Sequence, residues 1–457
     1  MPINGTVDRD TGKNRPAGRG FTRREFLAGA GGLLLLGSCG GTGDPAVIGQ
    51  SAASSSGEYE GPPVELAFWN GFTGGDGPAM RELVDRFNDE HENISVAMNV
   101  MIWDPDFYQK TPAAVGSGNG PDVGIMHIDR LATNAARGVI VPLDEVADSL
   151  GLREDDFAPV AWESGFYNGQ RYGIPLDMHP LGLYYNKKVM REAGLDPEDP
   201  PATGDQYMSM LEEIKGNGGQ GSWVSPFVFT GGFWFRTLVW QFGGELYDEY
   251  ATRATYNSDE GVEALAWMVD LIKNGYSPQN VGQDADQVAF QNNENAFHWN
   301  GIWMVNAFKE NPDLEWGVAP LPRIGSEDAA YANSHNFVLF NQVEPDENKL
   351  QASKVFMDWI GRNSLRWAEA GQIPALNSVR ESGEFEDLTE QSTLARQVSY
   401  LRFNPQITGV YEVQTVLDAA YNEAVLLVKD PKTALDEAAE RADKLLEENR
   451  QKYGEVE

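Results

Sequence analysis

Segments with strand periodicity and segments with helix periodicity alternate along most of this chain. Apolar residues alternate over 64–69 and again over 94–100, which is the two-residue period of a strand. Between them, residues 80–91 place apolar side chains at helical spacing. Residues 123–126 indicate a short buried strand, and further helices are predicted over 129–137, 189–193, 205–215, 259–273, 348–360 and 433–453. This order indicates an α/β fold with mainly parallel sheets.

The first 38 residues differ from the rest in charge and hydropathy. They carry six Lys or Arg and three Asp or Glu, and they end in an apolar run from Phe26 to Leu36 that is too short to span a bilayer. Arg23 and Arg24 stand just before this run, in an arrangement that resembles the twin-arginine export signal. We therefore interpret residues 1–38 as a signal peptide, with two chance arginines before a short buried helix as the alternative.

Cys39 is the only cysteine of the chain, and it lies three residues after the end of the apolar run at Leu36. The sequence Leu36-Gly37-Ser38-Cys39 resembles a lipobox, in which cleavage leaves the cysteine at a new N-terminus for lipid attachment. The alternative is a buried or leftover cysteine. Residues 39–63 are rich in Ser, Gly and Pro and predict a flexible tether. We expect an exported chain that lipidated Cys39 anchors to the outer face of the cytoplasmic membrane.

Charge excludes several classes of partner and site. The net charge of −34 combines +3 over residues 1–38 with −37 over the remainder. Such acidity argues against nucleic acid as a partner, because phosphate binding needs clustered Lys and Arg. A single cysteine excludes a disulfide framework and a Cys-rich metal site. Because Lys is also scarce, the surface is typical of a halophile; an ordinary acidic protein is the alternative.

Aromatic residues lie beside Gly, Asn or Pro in three places. These clusters fall at 68–72, 231–235 and 298–303. Flat rings that stack on C–H faces, together with amides and carboxylates that pair with hydroxyls, are what a sugar ligand requires. Packing in the core explains any single ring equally well, but three such clusters favour a ligand groove.

Four segments together are similar to the family 1 extracellular solute-binding proteins of ABC importers, the maltose-binding-protein-like group. The segments are 66–71, 120–130, 172–187 and 294–303, the last of which leads into 316–322. The resemblance covers about residues 64–445, and its strength lies in the order and spacing of the motifs.

The resemblance implies a periplasmic-binding-protein-like fold of type II, with two α/β lobes joined by a hinge and a ligand cleft between them. The expected N-terminal lobe comprises residues 64–176 and about 330–372, and the C-terminal lobe about 177–329 and 373–457. The implied partners are a sugar and the permease subunits of an ABC transporter, and we expect a monomer without enzymatic activity. Ligand that bridges the lobes binds the closed state better and shifts the population toward it.

The resemblance also implies the site residues. Asp129, Arg130 and Asp177 match sugar-binding positions, and Trp303 matches a stacking tryptophan. The full set of expected sugar-binding residues is Asn70, Phe72, Thr73, His127, Asp129, Arg130, Asp177, His179, Phe233, Trp234, Trp299, Asn300, Trp303, His335, Gln372 and Tyr411.

Three of the five histidines, His127, His179 and His298, lie in these motifs, and His335 follows the last of them. Histidines of this kind can bind zinc, but their sequence spacing matches no helical metal motif. We therefore predict no metal site, no cofactor and no catalytic residue. His179 and His335 are expected to act as neutral partners of sugar hydroxyls.

Two other function classes stay open at this point. A secreted glycoside hydrolase needs two carboxyl groups that flank the scissile bond, and Asp129 with Asp177 could supply them. A binding protein for a non-sugar solute, such as a peptide or a phosphorylated polyol, is the other alternative. A phosphorylated ligand would require several cations in the cleft, whereas the candidates are Arg130 in the second segment and Arg236 beside the aromatic cluster 231–235.

Overall fold

The computed structural model of the protein describes residues 59–454. Arg23, Arg24, Cys39 and the predicted tether up to residue 58 lie outside the described residues, so the export signal and the lipid attachment stay predictions. Within residues 59–454, no helix combines the length and the apolar character that a membrane crossing requires.

The described residues contain thirteen strands, several of them only two residues long. They are β1 Val64–Asn70, β2 Ile94–Val100, β3 Val123–His127, β4 Phe166–Tyr167, β5 Gln170–Arg171, β6 Ile174–Pro175, β7 Asp177–Asn186, β8 Phe297–Gly301, β9 Trp316–Ala319, β10 Ala330–Asn333, β11 His335–Leu339, β12 Ile373–Pro374 and β13 Leu401–Arg402.

Helices connect and cover these strands. They are α1 Gly77–Glu90, α2 Tyr108–Gly116, α3 Leu131–Ala136, α4 Asp144–Ser149, α5 Pro159–Glu163, α6 Lys187–Glu192, α7 Gly204–Gly216, α8 Phe233–Gln241, α9 Asp259–Lys273, α10 Ala285–Gln291, α11 Val305–Lys309, α12 Glu347–Arg362, α13 Leu365–Glu369, α14 Asn377–Arg380, α15 Gly383–Glu386, α16 Thr389–Ala395, α17 Val410–Val425 and α18 Pro431–Tyr453.

The first sheet has the strand order β2-β1-β3-β11-β6. Strand β1 runs parallel to β2 and β3, whereas β11 runs antiparallel to β3 and β6. The alternation seen in the sequence of β1 has its expected cause, because Leu66 and Phe68 are buried while Glu65 is exposed.

The second sheet is built around β7, whose ten residues are all buried. Strands β8, β9, β10 and β12 each pair with β7 in antiparallel orientation, and β13 runs parallel to β10. The class is α/β, but both sheets are mixed, so the prediction of mainly parallel sheets is wrong. The difference arises because β7 and β11 each run antiparallel to the strands with which they pair, and the periodicity of a segment does not determine its direction in a sheet.

Helix boundaries follow local signals in the sequence. Helix α9 begins after Ser258, whose side chain accepts a hydrogen bond from the backbone N–H of Gly261 at 3.4 Å. Its buried side includes Leu265, Met268 and Ile272, which have the spacing of one helix face. The predicted range 259–273 therefore coincides with the observed helix. The predicted helix 129–137 is instead a 3-10 turn followed by α3, so it starts as a different helix type.

Each sheet has its own apolar core. Two clusters of buried side chains lie against the first sheet, one around Phe68 and Phe356 and the other around Met126 and Val338. A separate and larger cluster surrounds the second sheet and includes Leu183. Separate cores are consistent with two lobes.

The chain crosses from one sheet to the other where single residues separate two strands. Leu176 separates β6 of the first sheet from β7 of the second, and Ser334 separates β10 of the second from β11 of the first. Both crossings lie close to predicted lobe boundaries, at residue 176 and at about residue 330, and the division into lobes at these residues stays a prediction. The two crossings lie side by side, because the backbone N–H of Leu176 donates to the carbonyl of His335 at 2.8 Å.

A buried acidic group lies in the core of the second sheet. Asp286 on α10 is 2% exposed, and its Oδ2 lies 3.6 Å from Nδ1 of His298 on β8. Burial raises the pKa of Asp286 to about 6, and burial lowers the pKa of His298 to about 3. At neutral pH the folded chain thus holds a carboxylate where a neutral group would cost less free energy.

This arrangement predicts a pH-dependent gain in stability for Asp286→Asn. Between pH 4 and 6 the folded carboxyl keeps a proton that the unfolded chain releases, so the wild-type free energy of unfolding falls as pH rises through this window. The asparagine variant has no carboxyl group at this position, so its free energy of unfolding does not fall for this reason as pH rises. Its advantage in urea unfolding should grow from near zero at pH 4 to at most about 3 kcal/mol at pH 7.

The exposed Asp284 next to α10 provides the matched control. Asp284→Asn should give no such pH-dependent difference. A wild-type chain more stable than Asp286→Asn at pH 7, or an advantage that does not change with pH, would contradict the assignment.

Candidate functional site at the junction of the two sheets

The buried carboxylate of Asp177 joins elements of both sheets. Asp177 is the first residue of β7 and is 0% exposed. Its Oδ1 accepts a hydrogen bond from the backbone N–H of His335 at 3.0 Å and lies 3.2 Å from Nδ1 of His179. Its Oδ2 lies 2.7 Å from Nδ1 of His335 and accepts a hydrogen bond from Nε1–H of Trp367 at 2.6 Å. Groups from β7, β11 and α13 therefore meet on one side chain.

The charge state of Asp177 follows from these partners. Burial alone would raise the pKa of Asp177, but the neighbouring His335 and His179 outweigh burial and lower it far below its usual range. An ionised carboxylate only accepts hydrogen bonds, so both imidazoles carry a proton on Nδ1. In the neutral form of each ring, Nε2 then carries the lone pair.

The imidazoles of His127, His179 and His335 converge beside Asp177, and we refer to these three residues as the histidine triad. One ring nitrogen of each lies within 4.8 Å of the others. The ring centroids of His179 and His335 are 4.3 Å apart, and those of His127 and His335 are 4.9 Å apart. His127 ends β3 and is the antiparallel partner of His335 on β11, which places both side chains on the same face.

At least two members of the triad, His127 and His179, are uncharged at neutral pH. Burial, reinforced by the neighbouring His335, lowers the pKa of His127 and of His179. The hydroxyl of Tyr108 lies 2.6 Å from Nδ1 of His127 and accepts a hydrogen bond from the backbone N–H of His127 at 3.2 Å. The rings of His127 and His179 are thus neutral groups, and their contacts with Tyr108 and Asp177 fix their orientation.

Aromatic rings enclose one side of the triad. Phe72 meets His335 edge-on with centroids 4.9 Å apart, and Trp103 lies parallel to His335 at 5.7 Å. Phe72 also contacts Trp367, 4.6 Å away. On another side, Trp303 meets His179 edge-on at 6.0 Å. We call Asp177, the histidine triad and Trp303 the junction site.

A second group of polar residues lies next to the junction site. Arg130, just after β3, forms an ion pair with Asp104 at 2.9 Å. Its guanidinium lies between the rings of Tyr108 and Tyr411, 4.5 and 4.4 Å from their centroids. Burial opposes the charge, but Asp129 and the other neighbours outweigh it and raise the pKa of Arg130. Tyr411 belongs to α17, which packs on the core of the second sheet, so this stack connects the two cores.

Residues 82–395 match the family model described as "Bacterial extracellular solute-binding protein". The chain belongs to this family. Its members are exported binding proteins, and the predicted family resemblance is confirmed.

Curated relatives and solved structures agree with this assignment. The solute-binding protein is 23% identical over 411 residues to the sn-glycerol-3-phosphate-binding periplasmic protein of Pectobacterium atrosepticum. The alignment covers 84% of this chain and 91% of the relative. The cyclic alpha-maltosyl-1,6-maltose binding protein of Arthrobacter globiformis superposes with a TM-score of 0.73 at 25% identity, over 84% of this chain and all of that one.

A third match has a different ligand in its crystal structure. The structure of a Mycobacterium tuberculosis protein in complex with glycerophosphocholine gives a TM-score of 0.73 at 21% identity, over 85% of this chain and 99% of that one. Together these structures confirm the predicted type II fold of solute-binding proteins.

The solute-binding protein brings many of the predicted site residues together and separates others. His127, Asp177, His179, Trp303 and His335 form the junction site, and Asp129, Arg130 and Tyr411 lie beside it. Phe233 stacks on Tyr331 at 4.0 Å, and Gln372 is 1% exposed with an Oε1 that has no hydrogen-bond partner among residues 59–454.

Other predicted residues are engaged in packing. Trp234 and Trp299 are both 2% exposed and stack on each other 4.6 Å apart in the core of the second sheet. Trp299 Nε1–H donates to the hydroxyl of Tyr207 at 3.0 Å. Asn300 Oδ1 accepts from the backbone N–H of Gly301 at 2.7 Å.

The residues predicted after β1 also differ in exposure. Asn70 is 0% exposed, and its Oδ1 accepts a hydrogen bond from the backbone N–H of Phe72 at 3.1 Å. Phe72 packs inside the first lobe, whereas Thr73 is exposed and lines a surface pocket with Arg81 and Asp85 of α1.

Sequence reasoning missed three residues of the site. Trp103 and Tyr108 follow the carboxyl end of β2, and ligands of α/β proteins commonly lie at such strand ends. Applying that rule to β2 as well as β1 would have pointed to this segment. Trp367 on α13 carries no local signal, since its role depends on the distant Asp177.

The hydrogen bonds of Asp177 predict a large loss of stability for Asp177→Asn. An asparagine offers one acceptor oxygen and presents an NH₂ group to donors, so buried Nδ1–H and Nε1–H groups lose partners. We expect the free energy of unfolding at pH 7 to fall by about 2–4 kcal/mol. Urea denaturation followed by tryptophan fluorescence measures this change.

The exposed Asp85 on α1 provides the control. Asp85→Asn should change the free energy of unfolding by no more than about 0.5 kcal/mol. An equally small effect of Asp177→Asn would show that its carboxylate does not organise the junction.

Proposed function

We propose that this protein is the substrate-binding component of an ABC importer and captures a sugar by hinge closure. The observation that carries the proposal is the junction site, where a buried carboxylate, neutral imidazoles and a half-buried tryptophan converge at the crossings between two sheets. Hydroxyl partners next to a ring that can stack on C–H faces suit a carbohydrate. The maltosaccharide-binding relative supports the same solute class.

Closure would follow from the division of the site between the lobes. Arg130 and His127 follow or end β3 in the first sheet, whereas Tyr411 and Trp303 belong to elements packed on the second core. We propose that the lobes divide at the sheet crossings and that a solute touching both halves binds the closed state better. The closed form would then deliver the solute to the permease, with the chain acting as a monomer.

Among the predicted sugar-binding residues, those at the junction carry the proposal. We assign sugar contact to eight of the predicted residues and packing roles to Trp234, Trp299, Asn300, Asn70 and Phe72. The assigned residues are His127, Asp129, Arg130, His179, Phe233, Trp303, Gln372 and Tyr411.

The alternative of a glycoside hydrolase is disfavoured by the chemistry of Asp177. A general acid needs a carboxyl group that keeps its proton, which requires a raised pKa. The pKa of Asp177 is instead lowered by His335 and His179 despite burial, and protein donors engage both of its oxygens. We therefore propose a binding protein without catalytic residues.

A phosphorylated polyol is also disfavoured, although relatives bind glycerol phosphate or its esters. A phosphate group requires cationic partners in the site. Arg130 already pairs with Asp104, and Asp129 raises its pKa. Arg236 is buried and pairs with Asp418 at 2.7 Å.

We further propose that the chain is exported through the twin arginines Arg23 and Arg24 and anchored by lipid on Cys39. This anchor would hold the binding lobes at the outer face of the cytoplasmic membrane, next to the permease. The acidic composition would keep such an exposed protein hydrated in a salty environment.

A thermal-shift screen tests the solute class. Maltose and maltotriose should raise the melting temperature by a few degrees, because a ligand at 100 times its Kd adds about 2.7 kcal/mol of stability. Under the same conditions, sn-glycerol 3-phosphate and short peptides should leave the melting temperature unchanged. A shift with either of these and none with any sugar in the screen would refute the sugar assignment.

Trp303→Ala should separate solute binding from stability. We expect an increase of about 5- to 30-fold in the sugar Kd by calorimetry, since stacking contributes on the order of 1–2 kcal/mol. Trp359, a half-buried tryptophan on α12, provides the control: Trp359→Ala should leave the Kd unchanged. If Trp303→Ala lowers the melting temperature as much as Trp359→Ala and spares the Kd, Trp303 is a packing residue.

A further inference from the structure

The histidine triad has a feature that sugar recognition does not require. Its three imidazoles come from three separate strands, β3, β7 and β11, and one nitrogen of each lies within 4.8 Å of the other two. Hydroxyl recognition needs single donors and acceptors spread over the solute. Three ring nitrogens within 4.8 Å of one another instead suit a single small ligand.

The other ring nitrogens are already engaged by protein groups. Asp177 lies 3.2 Å from Nδ1 of His179 and 2.7 Å from Nδ1 of His335, and Tyr108 lies 2.6 Å from Nδ1 of His127. Imidazoles that bind metals characteristically donate their second N–H to a carboxylate or another oxygen, which fixes the ring and raises its basicity. All three members of the triad have such an oxygen at Nδ1, so Nε2 is the nitrogen presented to a ligand.

The charges around the triad favour a cation. The carboxylates of Asp76, Asp129 and Asp177 all act electrostatically on members of the triad, and Arg130 is the opposing positive group. The local balance is negative, which suits a divalent cation and opposes an anion.

We propose that the histidine triad binds one divalent first-row transition metal ion, of which Zn²⁺ is the reference case. Three imidazole Nε2 atoms would be its protein ligands, and water or an oxygen of a solute would fill the fourth position. The carboxylate of Asp177 and the hydroxyl of Tyr108 would act as positioning groups. The sequence spacing that predicted no metal site gives no guidance here, because the ligands are brought together only by strand pairing.

The geometry requires only a small adjustment. Zn–N bonds of about 2.0–2.1 Å in a tetrahedral site place ligand nitrogens about 3.3 Å apart. One nitrogen of each ring, Nδ1 or Nε2, lies within 4.8 Å of the others, so a set of three ring nitrogens needs to close by at most about 1.5 Å, which side-chain rotation can supply.

The test uses the full chain carrying Cys39→Ser, without an affinity tag, after treatment with a chelator. The substitution removes the only thiol, so imidazoles are the remaining soft ligands. We expect saturable binding of one Co²⁺ per chain, with the visible d–d absorption of a four-coordinate site, and displacement of Co²⁺ by Zn²⁺. Calorimetry with Zn²⁺ in the absence of any sugar gives the affinity, so a failed metal site and a failed sugar assignment are distinguished.

Matched variants assign the binding to the triad. His127→Gln and His179→Gln should each weaken Zn²⁺ binding at least about 10-fold, and Tyr108→Phe about 10-fold, while His91→Gln should leave it unchanged. His91 follows the end of α1, is partly buried and stacks on Phe87, away from the triad. Circular dichroism in the absence of metal verifies that each variant is folded.

Two results would overturn the proposal. One is the absence of saturable Co²⁺ or Zn²⁺ binding by the folded wild-type chain. The other is binding that His127→Gln and His179→Gln leave intact, or that His91→Gln weakens to the same degree, because the ion would then bind surface groups.

Discussion

The carboxylate of Asp177 is the interaction on which the junction between the sheets depends. It is fully buried, and it accepts hydrogen bonds from His335, His179 and Trp367, which belong to β11, β7 and α13. His335 makes two of these contacts, through its backbone N–H and its Nδ1, so the carboxylate has four in all. A buried charge with four such contacts is stable only while every partner is in place. The same bonds that compensate its desolvation therefore orient two imidazoles and hold the crossing strands in register.

This arrangement connects the fold to its function. A single residue separates each of β7 and β11 from the preceding strand, which belongs to the other sheet, so Asp177 and His335 lie at the crossings between two cores. Under the proposed closure, side chains at these crossings would stay fixed while the lobes move, because the crossings are short and paired. A solute or an ion held there would contact residues from both lobes, as family members that bind solutes by closure require.

Much of the fold could be predicted from the sequence, since local patterns determine most helices and the first strands. The range of α9 and the first strands follow from periodicity and capping. Strand direction could not be predicted, because β7 and β11 pair with segments more than 100 residues away. The site divides in the same way: Asp177 and Arg130 were found through a resemblance in their motifs, whereas the meeting of His127, His179 and His335 arises only from pairing of β3 with β11 and of β7 with β10.

A crystal structure of the chain with a sugar selected by thermal-shift screening tests the proposed binding site at the junction. We expect the sugar between the lobes, with a ring face against Trp303 and hydroxyls within hydrogen-bond distance of His179 or Arg130. The contacts of Asp177 with His335 and Trp367 should stay intact. A sugar bound elsewhere, such as the surface pocket of α1 beside Thr73, would contradict the account.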